Sequence, residues 1–206
     1  MFEPPFDSAH PQRSAILRCA ADALERTDYD VLKVRQVAEA AGVSMRTFYS
    51  HFESKVELML TLLRGDIADR LRDMHNIVAA HDDAREQLRG LMHYVVGIST
   101  DRATYGQVRC YVDPSLEAEA PDEMYRIVSS WLPVLEGIIR TGAEQGVLHS
   151  ADPARDAQLV RYLIQGYLRD LRTERRTVEA ATVAEELFHA AVRLLGGADG
   201  AAGSSS

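Results

Sequence analysis

The most constraining feature of this sequence is a break at Gly42 between two helical patterns. Apolar residues recur at helical spacing on both sides of the break, at Val34, Val37, Ala38, Ala41, Phe48 and Phe52. Gly42 can adopt the left-handed conformation that ends a helix, and the hydroxyl of Ser44 can cap the helix that follows. Residues 33–55 are therefore predicted to form a helix, a tight turn and a second helix. In DNA-binding proteins this arrangement places the second helix in the major groove.

The charges around the break favour a surface that faces phosphate. No carboxylate lies between Glu39 and Glu53, and the only two lysines of the chain, Lys33 and Lys55, flank the unit. A surface that contacts the DNA backbone needs cations and few acids. Pattern alone nevertheless leaves a second interpretation open, in which the unit is an ordinary helical hairpin inside a bundle.

The net charge of −8 is the main objection to a nucleic-acid partner. Residues 1–55 contain seven Lys and Arg against eight Asp and Glu, so the acidity belongs mainly to the rest of the chain. Local charge distribution matters more than net charge for binding. The apolar runs are too short to span a membrane, and the N-terminus lacks the pattern of a secretory signal. A soluble, cytoplasmic protein with no membrane partner is therefore expected.

The residue patterns do not favour an enzyme. The sequence contains no Gly-x-Ser-x-Gly elbow, phosphate-binding glycine loop or His-Glu-x-x-His motif. The seven histidines show no metal-ligand spacing, and Cys19 and Cys110 have neither disulfide-framework nor zinc spacing. No catalytic residue, metal site or cofactor is predicted.

The remaining chain carries only helical apolar patterns, so the predicted fold class is all-α with about nine helices. Three helices, the third over residues 45–52, form an N-terminal helix-turn-helix domain at residues 1–54. A larger helical domain follows at 55–196, and residues 197–206 are predicted to be a flexible tail. Asp113-Pro114 should stop a short helix near 103–111. Pro133 lies inside a predicted helix over 121–145 and should kink or break it.

The helix-turn-helix stretch resembles the TetR (tetracycline-repressor-like) family of bacterial transcriptional regulators. The matching residues are Val34-Arg35-Gln36-Val37-Ala38, Ala41-Gly42-Val43-Ser44, Thr47-Phe48-Tyr49-Ser50-His51-Phe52 and Ser54-Lys55. The close match covers roughly residues 16–60, and beyond it only the length and the helical pattern agree. The resemblance implies a dimeric, ligand-responsive protein that binds a palindromic DNA operator, usually as a repressor.

The resemblance also implies residue roles. Arg46 can pair with a guanine edge, while Met45 and Thr47 can contact thymine methyl groups. The other residues are predicted to contact mainly the DNA backbone, and Lys33 is the least typical of them because the family more often has Ser or Thr there. The full predicted DNA-binding set is Lys33, Arg35, Ser44, Met45, Arg46, Thr47, Tyr49, Ser50, His51 and Lys55.

Two further sets are expected in the C-terminal domain. Aromatic and polar groups on apolar helix faces suggest a pocket for a small, mostly apolar effector, lined by His93, Tyr94, Tyr105, Arg109, Trp131, Leu135, Tyr162 and Gln165. The last two helices, near 154–174 and 178–195, can pair with those of a second copy. The residues predicted for this dimer interface are Tyr167, Leu171, Ala184, Leu187, Phe188 and Ala191.

The sequence thus predicts a homodimeric repressor that a small molecule releases from DNA. Two alternatives stay open at this point. One is a helical protein-interaction module whose basic turn binds an acidic partner. The other is a regulator that acts without a ligand or as an activator, because the sequence does not show the sign of regulation.

Overall fold

The computed structural model describes residues 10–172 and 179–197, and all regular secondary structure within these ranges is α-helical. This confirms the all-α prediction. The described residues form the helices α1 (Pro11–Leu24), α2 (Val34–Ala40), α3 (Met45–His51), α4 (Lys55–Ala79), α5 (Ala84–Thr100), α6 (Arg102–Cys110), α7 (Pro114–Glu119), α8 (Pro121–Ser129), α9 (Leu132–Glu144), α10 (Pro153–Arg172) and α11 (Ala180–Leu194).

Two prolines explain why there are eleven helices in the described chain instead of about nine. Pro133 lies in the first turn of α9, so the helix predicted over 121–145 is broken into α8 and α9. Pro114 likewise begins α7. The Asp113 carboxylate caps this helix, because it accepts hydrogen bonds from Ser115 N at 2.9 Å and from Leu116 N at 3.2 Å. Asp113-Pro114 therefore stops one helix and starts another.

The chain divides into two compact units. The first contains the residues up to Leu71 together with Asp101–Ser130, and the second contains Arg72–Thr100 together with the residues from Trp131 onward. This division does not coincide with the predicted boundary between residues 54 and 55, because α4 continues across position 71 and α6 to α8 belong to the first unit. The functional division at residue 54 stays a prediction. The predicted tail lies outside the described residues except for Gly197.

In the first unit, α1, α2 and α3 pack against one another, and α6 packs against α1. The shared core of the three N-terminal helices is apolar and almost fully buried, with Ile16, Leu17, Leu24, Val37, Ala38, Phe48 and Phe52. Such a small bundle is stabilised mainly by burying these side chains, each contributing about 1.5–3 kcal/mol for the larger residues. The core holds α3 with one face inward and the opposite face in solvent.

The second unit is a helical bundle in which α5 packs against α9 and α11, while α10 packs against α9 and α11. Its interior includes Leu88, Leu91, Leu135, Ile138, Val160, Ile164, Phe188 and Val192. Within the described ranges, no helix combines the length and apolar character that crossing a membrane requires.

Candidate nucleic-acid interface

The turn between α2 and α3 is built by backbone hydrogen bonds around Gly42. Gly42 has φ +68°, the left-handed conformation that favours glycine. Its N–H donates to the carbonyl of Glu39 at 3.1 Å, and the N–H of Val43 donates to the carbonyl of Ala38 at 3.0 Å. This pair of bonds is the Schellman arrangement, which satisfies the last carbonyls of a helix. The sequence prediction of a helix stop at Gly42 is confirmed.

Ser44 starts the recognition helix. Its backbone is extended, and its hydroxyl oxygen accepts a hydrogen bond from Thr47 N at 3.0 Å, which satisfies one of the free N–H groups of α3. Phe48, fully buried, anchors the inner face of α3 in the core. The cap and the anchor together fix both the start of the helix and its rotation about its own axis.

Replacing Ser44 with Ala is expected to lower the free energy of unfolding by about 1 kcal/mol, because α3 then loses its side-chain cap. Ser50→Ala is a suitable control, since the Ser50 hydroxyl donates at 2.7 Å to the carbonyl of Thr47 inside the helix and satisfies no terminal N–H group. Urea denaturation followed by circular dichroism measures both values. Equal losses in the two variants would contradict the capping role.

The outer face of α3 presents two side chains that are available for a partner. Arg46 is exposed, and so is Tyr49, with 55% of its surface accessible. Within the described chain, neither the Arg46 guanidinium nor the Tyr49 hydroxyl has a hydrogen-bond partner. The Thr47 hydroxyl lies 2.9 Å from that of Ser44, so it is already engaged locally. Met45 and His51 are partly exposed at the two ends of the same helix.

The predicted backbone contacts of α2 are exposed but differ in availability. The Arg35 guanidinium Nε lies 3.0 Å from the carboxylate of Glu39, one turn away on the same helix. Both side chains are well exposed, so the pair contributes little to stability and Arg35 can exchange the carboxylate for a phosphate. Lys33 is the exposed N-cap residue of α2 and its side chain makes no capping bond.

Lys55 lies in a different environment from the one the sequence suggested. Its ammonium group donates to the carbonyl of Tyr29 at 2.9 Å and lies 3.5 Å from the carbonyl of Asp30. It also lies 4.1 Å from the centre of the Tyr29 ring, a cation–π contact. Lys55 therefore binds and stabilises residues 29 and 30 in the connection between α1 and α2, residues 25–33. Its phosphate contact stays a prediction and would have to compete with these bonds.

The eight predicted pocket residues are divided between the two units, and the pocket itself stays a prediction. Tyr105 and Arg109 lie in the first unit and the other six in the second. Of those six, only Trp131 and Leu135 are buried. The others lie at the surface: the Tyr94 hydroxyl donates to Asp73 at 2.9 Å, Tyr162 is 57% exposed, and Gln165 is partly exposed.

His93 is bound to a carboxylate at the surface of the second unit. Its Nε2 lies 2.7 Å from Glu185 of α11. The hydrogen bond from His93 lowers the pKa of Glu185, partial burial opposes this effect, and the nearby Arg89 guanidinium reinforces it. This group joins α5 to α11.

Most of the residues predicted for the dimer interface are buried within the protomer. Tyr167, Ala184, Leu187, Phe188 and Ala191 are buried inside the second unit, and Leu171 is partly exposed. Side chains buried in a protomer offer little surface to a second copy, and the role of these positions in a dimer stays a prediction.

A different set of residues forms the outer face of α10. Leu159 and Tyr162 are exposed by 39% and 57%, and Gly166 follows one turn later with open space around its α-carbon. The sequence contains the signal for this face, because the apolar residues of α10 form two stripes. Val160, Ile164 and Tyr167 follow the inner stripe, whereas 159, 162 and 166 follow the outer one.

Comparison with known proteins agrees with this geometry. Residues 16–62 match the family model described as "Bacterial regulatory proteins, tetR family". The HTH-type transcriptional repressor KstR2 of Rhodococcus jostii RHA1 is 27% identical to this chain, and the alignment covers 69% of this chain and 74% of KstR2. The fatty acid metabolism regulator protein of Bacillus subtilis is 20% identical over 76% of this chain and 79% of its own. The crystal structure of the regulator FadR from Bacillus subtilis with stearoyl-CoA has a TM-score of 0.72 at 16% identity and covers 86% of this chain and 96% of its own.

The capped recognition helix, its exposed outer face and the all-α fold define a helix-turn-helix DNA-binding protein. The family-model match falls on this same part of the chain. Residues 16–62 of the chain match the DNA-binding domain of the TetR family of bacterial transcriptional regulators, and the rest of the chain is similar in fold to regulators of that family.

Proposed function

We propose that the protein is a homodimeric repressor that binds a palindromic operator through α3 and dissociates when a small, mostly apolar molecule binds the C-terminal domain. The DNA-binding part of this proposal rests on the outer face of α3, where Arg46 and Tyr49 are exposed. No carboxylate of α3 or of its turn competes with DNA for this face. An arginine in the first turn of such a helix is in the position from which recognition helices read guanine.

The dimeric part of the proposal rests on the outer face of α10. Leu159 and Tyr162 expose apolar surface on a helix of twenty residues, about 30 Å long. Gly166 allows a second helix to approach closely because nothing lies within 4 Å of the position a Cβ would occupy. A twofold dimer presents two recognition helices to the two halves of a palindrome.

The effector class is suggested by the relatives. One curated relative is a fatty acid metabolism regulator, and one structural neighbour was crystallised with stearoyl-CoA. Long-chain acyl-CoA thioesters, in which an apolar acyl chain is joined to a charged CoA group, are therefore the first effectors to test on this chain. A ligand of this kind can release DNA only if it binds the DNA-free conformation more tightly than the DNA-bound one.

The experiment that tests this function has two stages. The purified protein first selects its preferred duplexes from a random-sequence pool, and a palindromic consensus is expected. Anisotropy with the selected duplex then measures Kd with and without stearoyl-CoA, with free CoA as the control. An increase in Kd of more than tenfold with the thioester alone would support release, and corresponds to about 1.4 kcal/mol of coupling.

The alternatives give different results in the same assays. A protein-interaction module would select no consensus and would bind all duplexes alike. Binding to the palindrome that stearoyl-CoA leaves unchanged would contradict acyl-CoA control and favour a ligand-independent regulator. Tighter operator binding with the thioester would contradict release and reverse the sign of regulation.

A further inference from the structure

Residues 25–33 connect α1 to α2 and so lead into the helix-turn-helix unit formed by α2 and α3. This connection leads directly from the end of α1 to Lys33, the N-cap residue of α2. Tyr29 and Leu32 are almost fully buried within it, and Leu32 N donates to the carbonyl of Asp28 at 3.1 Å. A change in the path of this short segment would therefore move the start of α2, and α3 with it.

Helix α6 approaches the end of α1 at van der Waals distance. A Cβ added at Gly106 would lie only 2.3 Å from the carbonyl oxygen of Leu24, the last residue of α1. The close approach requires glycine there. It brings the next turn of α6, with Arg109, to the beginning of the connection.

The Arg109 guanidinium joins α1 to the connection. Its Nη2 donates to the carbonyl of Leu24 at 3.1 Å, and its Nη1 lies 2.8 Å from the carboxylate of Asp28. The guanidinium also lies 4.7 Å from the centre of the Tyr105 ring, which restricts its position further. A cation at the C-terminal end of α1 is favourable for the helix dipole. The planar fork of arginine can bridge two acceptors in fixed geometry, which the single ammonium group of lysine does less well.

Two more side chains hold the same segment, so it keeps its fold if one contact is lost. The Tyr29 hydroxyl donates to Glu119 of α7 at 3.2 Å, and Lys55 of α4 donates to the Tyr29 carbonyl. Burial, and then the charge of Glu119, raise the pKa of Tyr29 well above its usual value, so the hydroxyl stays a donor. Removing Arg109 should therefore loosen the orientation of the connection without unfolding it.

We propose that Arg109 is a positioning residue for operator binding, acting through the Leu24 carbonyl and the Asp28 carboxylate on the segment that carries α2 and α3. This inference rests on the proposed operator binding through α3. It replaces the effector contact expected for Arg109, because the side chain is occupied by α1 and by the connection. Asp28 and Tyr29 belong to the same set of contacts.

The test uses the full-length protein and the duplex that the wild-type chain selects from a random pool. Kd is measured by anisotropy at several salt concentrations for Arg109→Ala, Arg109→Lys and Asp28→Asn. Arg64→Ala is the control. Arg64 makes an ion pair of 2.6 Å with Glu123 in the same unit, its side chain is 35% exposed against 18% for Arg109, and the pair lies outside residues 25–33.

Arg109→Ala is expected to raise Kd for the selected duplex about 5- to 20-fold, in the lower part of the roughly 5- to 150-fold range typical of coupling between sites. The dependence of log Kd on log salt should keep its slope, because Arg109 does not contact phosphate. Arg109→Lys should recover part of the affinity, and Asp28→Asn should lose part of it. Arg64→Ala should lower the melting temperature comparably while leaving Kd within about twofold, since ion-pair loss alone affects only stability.

Three results would overturn the inference. The first is an unchanged Kd in a folded Arg109→Ala protein or, if that variant does not fold, in Asp28→Asn. The second is a salt slope reduced by about one per subunit, which would make Arg109 a direct phosphate contact. The third is an equal loss of affinity in Arg64→Ala, which would make the effect one of general stability. If the wild-type chain selects no consensus, the operator-binding proposal fails together with this one.

Discussion

Replacing Arg46 and Thr47 together with Ala is expected to abolish sequence-specific DNA binding while leaving the fold intact. A bidentate contact between arginine and guanine contributes about 1–3 kcal/mol of discrimination. In a twofold dimer the substitution removes the contact from both half-sites, so the loss is about 2–6 kcal/mol, or roughly 30- to 10⁴-fold in Kd. The fold should tolerate the change because Arg46 is exposed and Ser44 keeps its bond to the backbone N–H of residue 47.

The measurement compares the selected duplex with a random duplex of the same length. The variant should bind both with the weak, salt-dependent affinity of a nonspecific complex. Arg140→Ala is the control, since it removes the same charge from an exposed position on α9 in the second unit. Repeating the selection with the Arg46→Ala/Thr47→Ala protein provides the stronger criterion. Recovery of the wild-type consensus would rule out α3 as the sequence-reading helix.

The recognition unit could be predicted from the sequence because its determinants are local. The positive φ of Gly42 and the cap by Ser44 depend on residues at most five positions away. Phe48 points inward because helical spacing places it with Phe52 on the core face. The break at Pro133 was predictable for the same reason, since proline acts on its own turn of helix.

Contacts between distant helices could not be predicted in the same way, because they depend on which helices meet. Tyr162 and Tyr167 are both aromatic residues of α10, yet one is 57% exposed and the other 7%. Arg109 contacts α1, 85 residues away along the chain. Helical spacing assigns such residues to a face of their helix, but only packing decides whether that face meets the core, another element or solvent.

Introducing a carboxylate at two exposed apolar positions of α10, as Leu159→Asp/Tyr162→Asp, is expected to convert a dimer into a monomer. The two side chains form the apolar part of the proposed interface, and twofold symmetry places four new carboxylates in it. Burying an unpaired carboxylate costs several kcal/mol, so the dimer dissociation constant should rise more than 1,000-fold. The protomer should stay folded because both positions are exposed in it.

Light scattering after size exclusion measures the mass of the particle in solution, against a chain mass of 22.9 kDa. Tyr125→Asp is a matched control, because Tyr125 is 56% exposed on α8 and does not belong to this face. The monomeric variant should also bind the palindrome about 10²- to 10⁴-fold more weakly, since the two half-sites are then bound independently. A double variant that stays dimeric at micromolar concentration would place the interface on another face. A monomeric wild-type protein would contradict the homodimer itself, because α10 would then expose its apolar stripe without a partner copy.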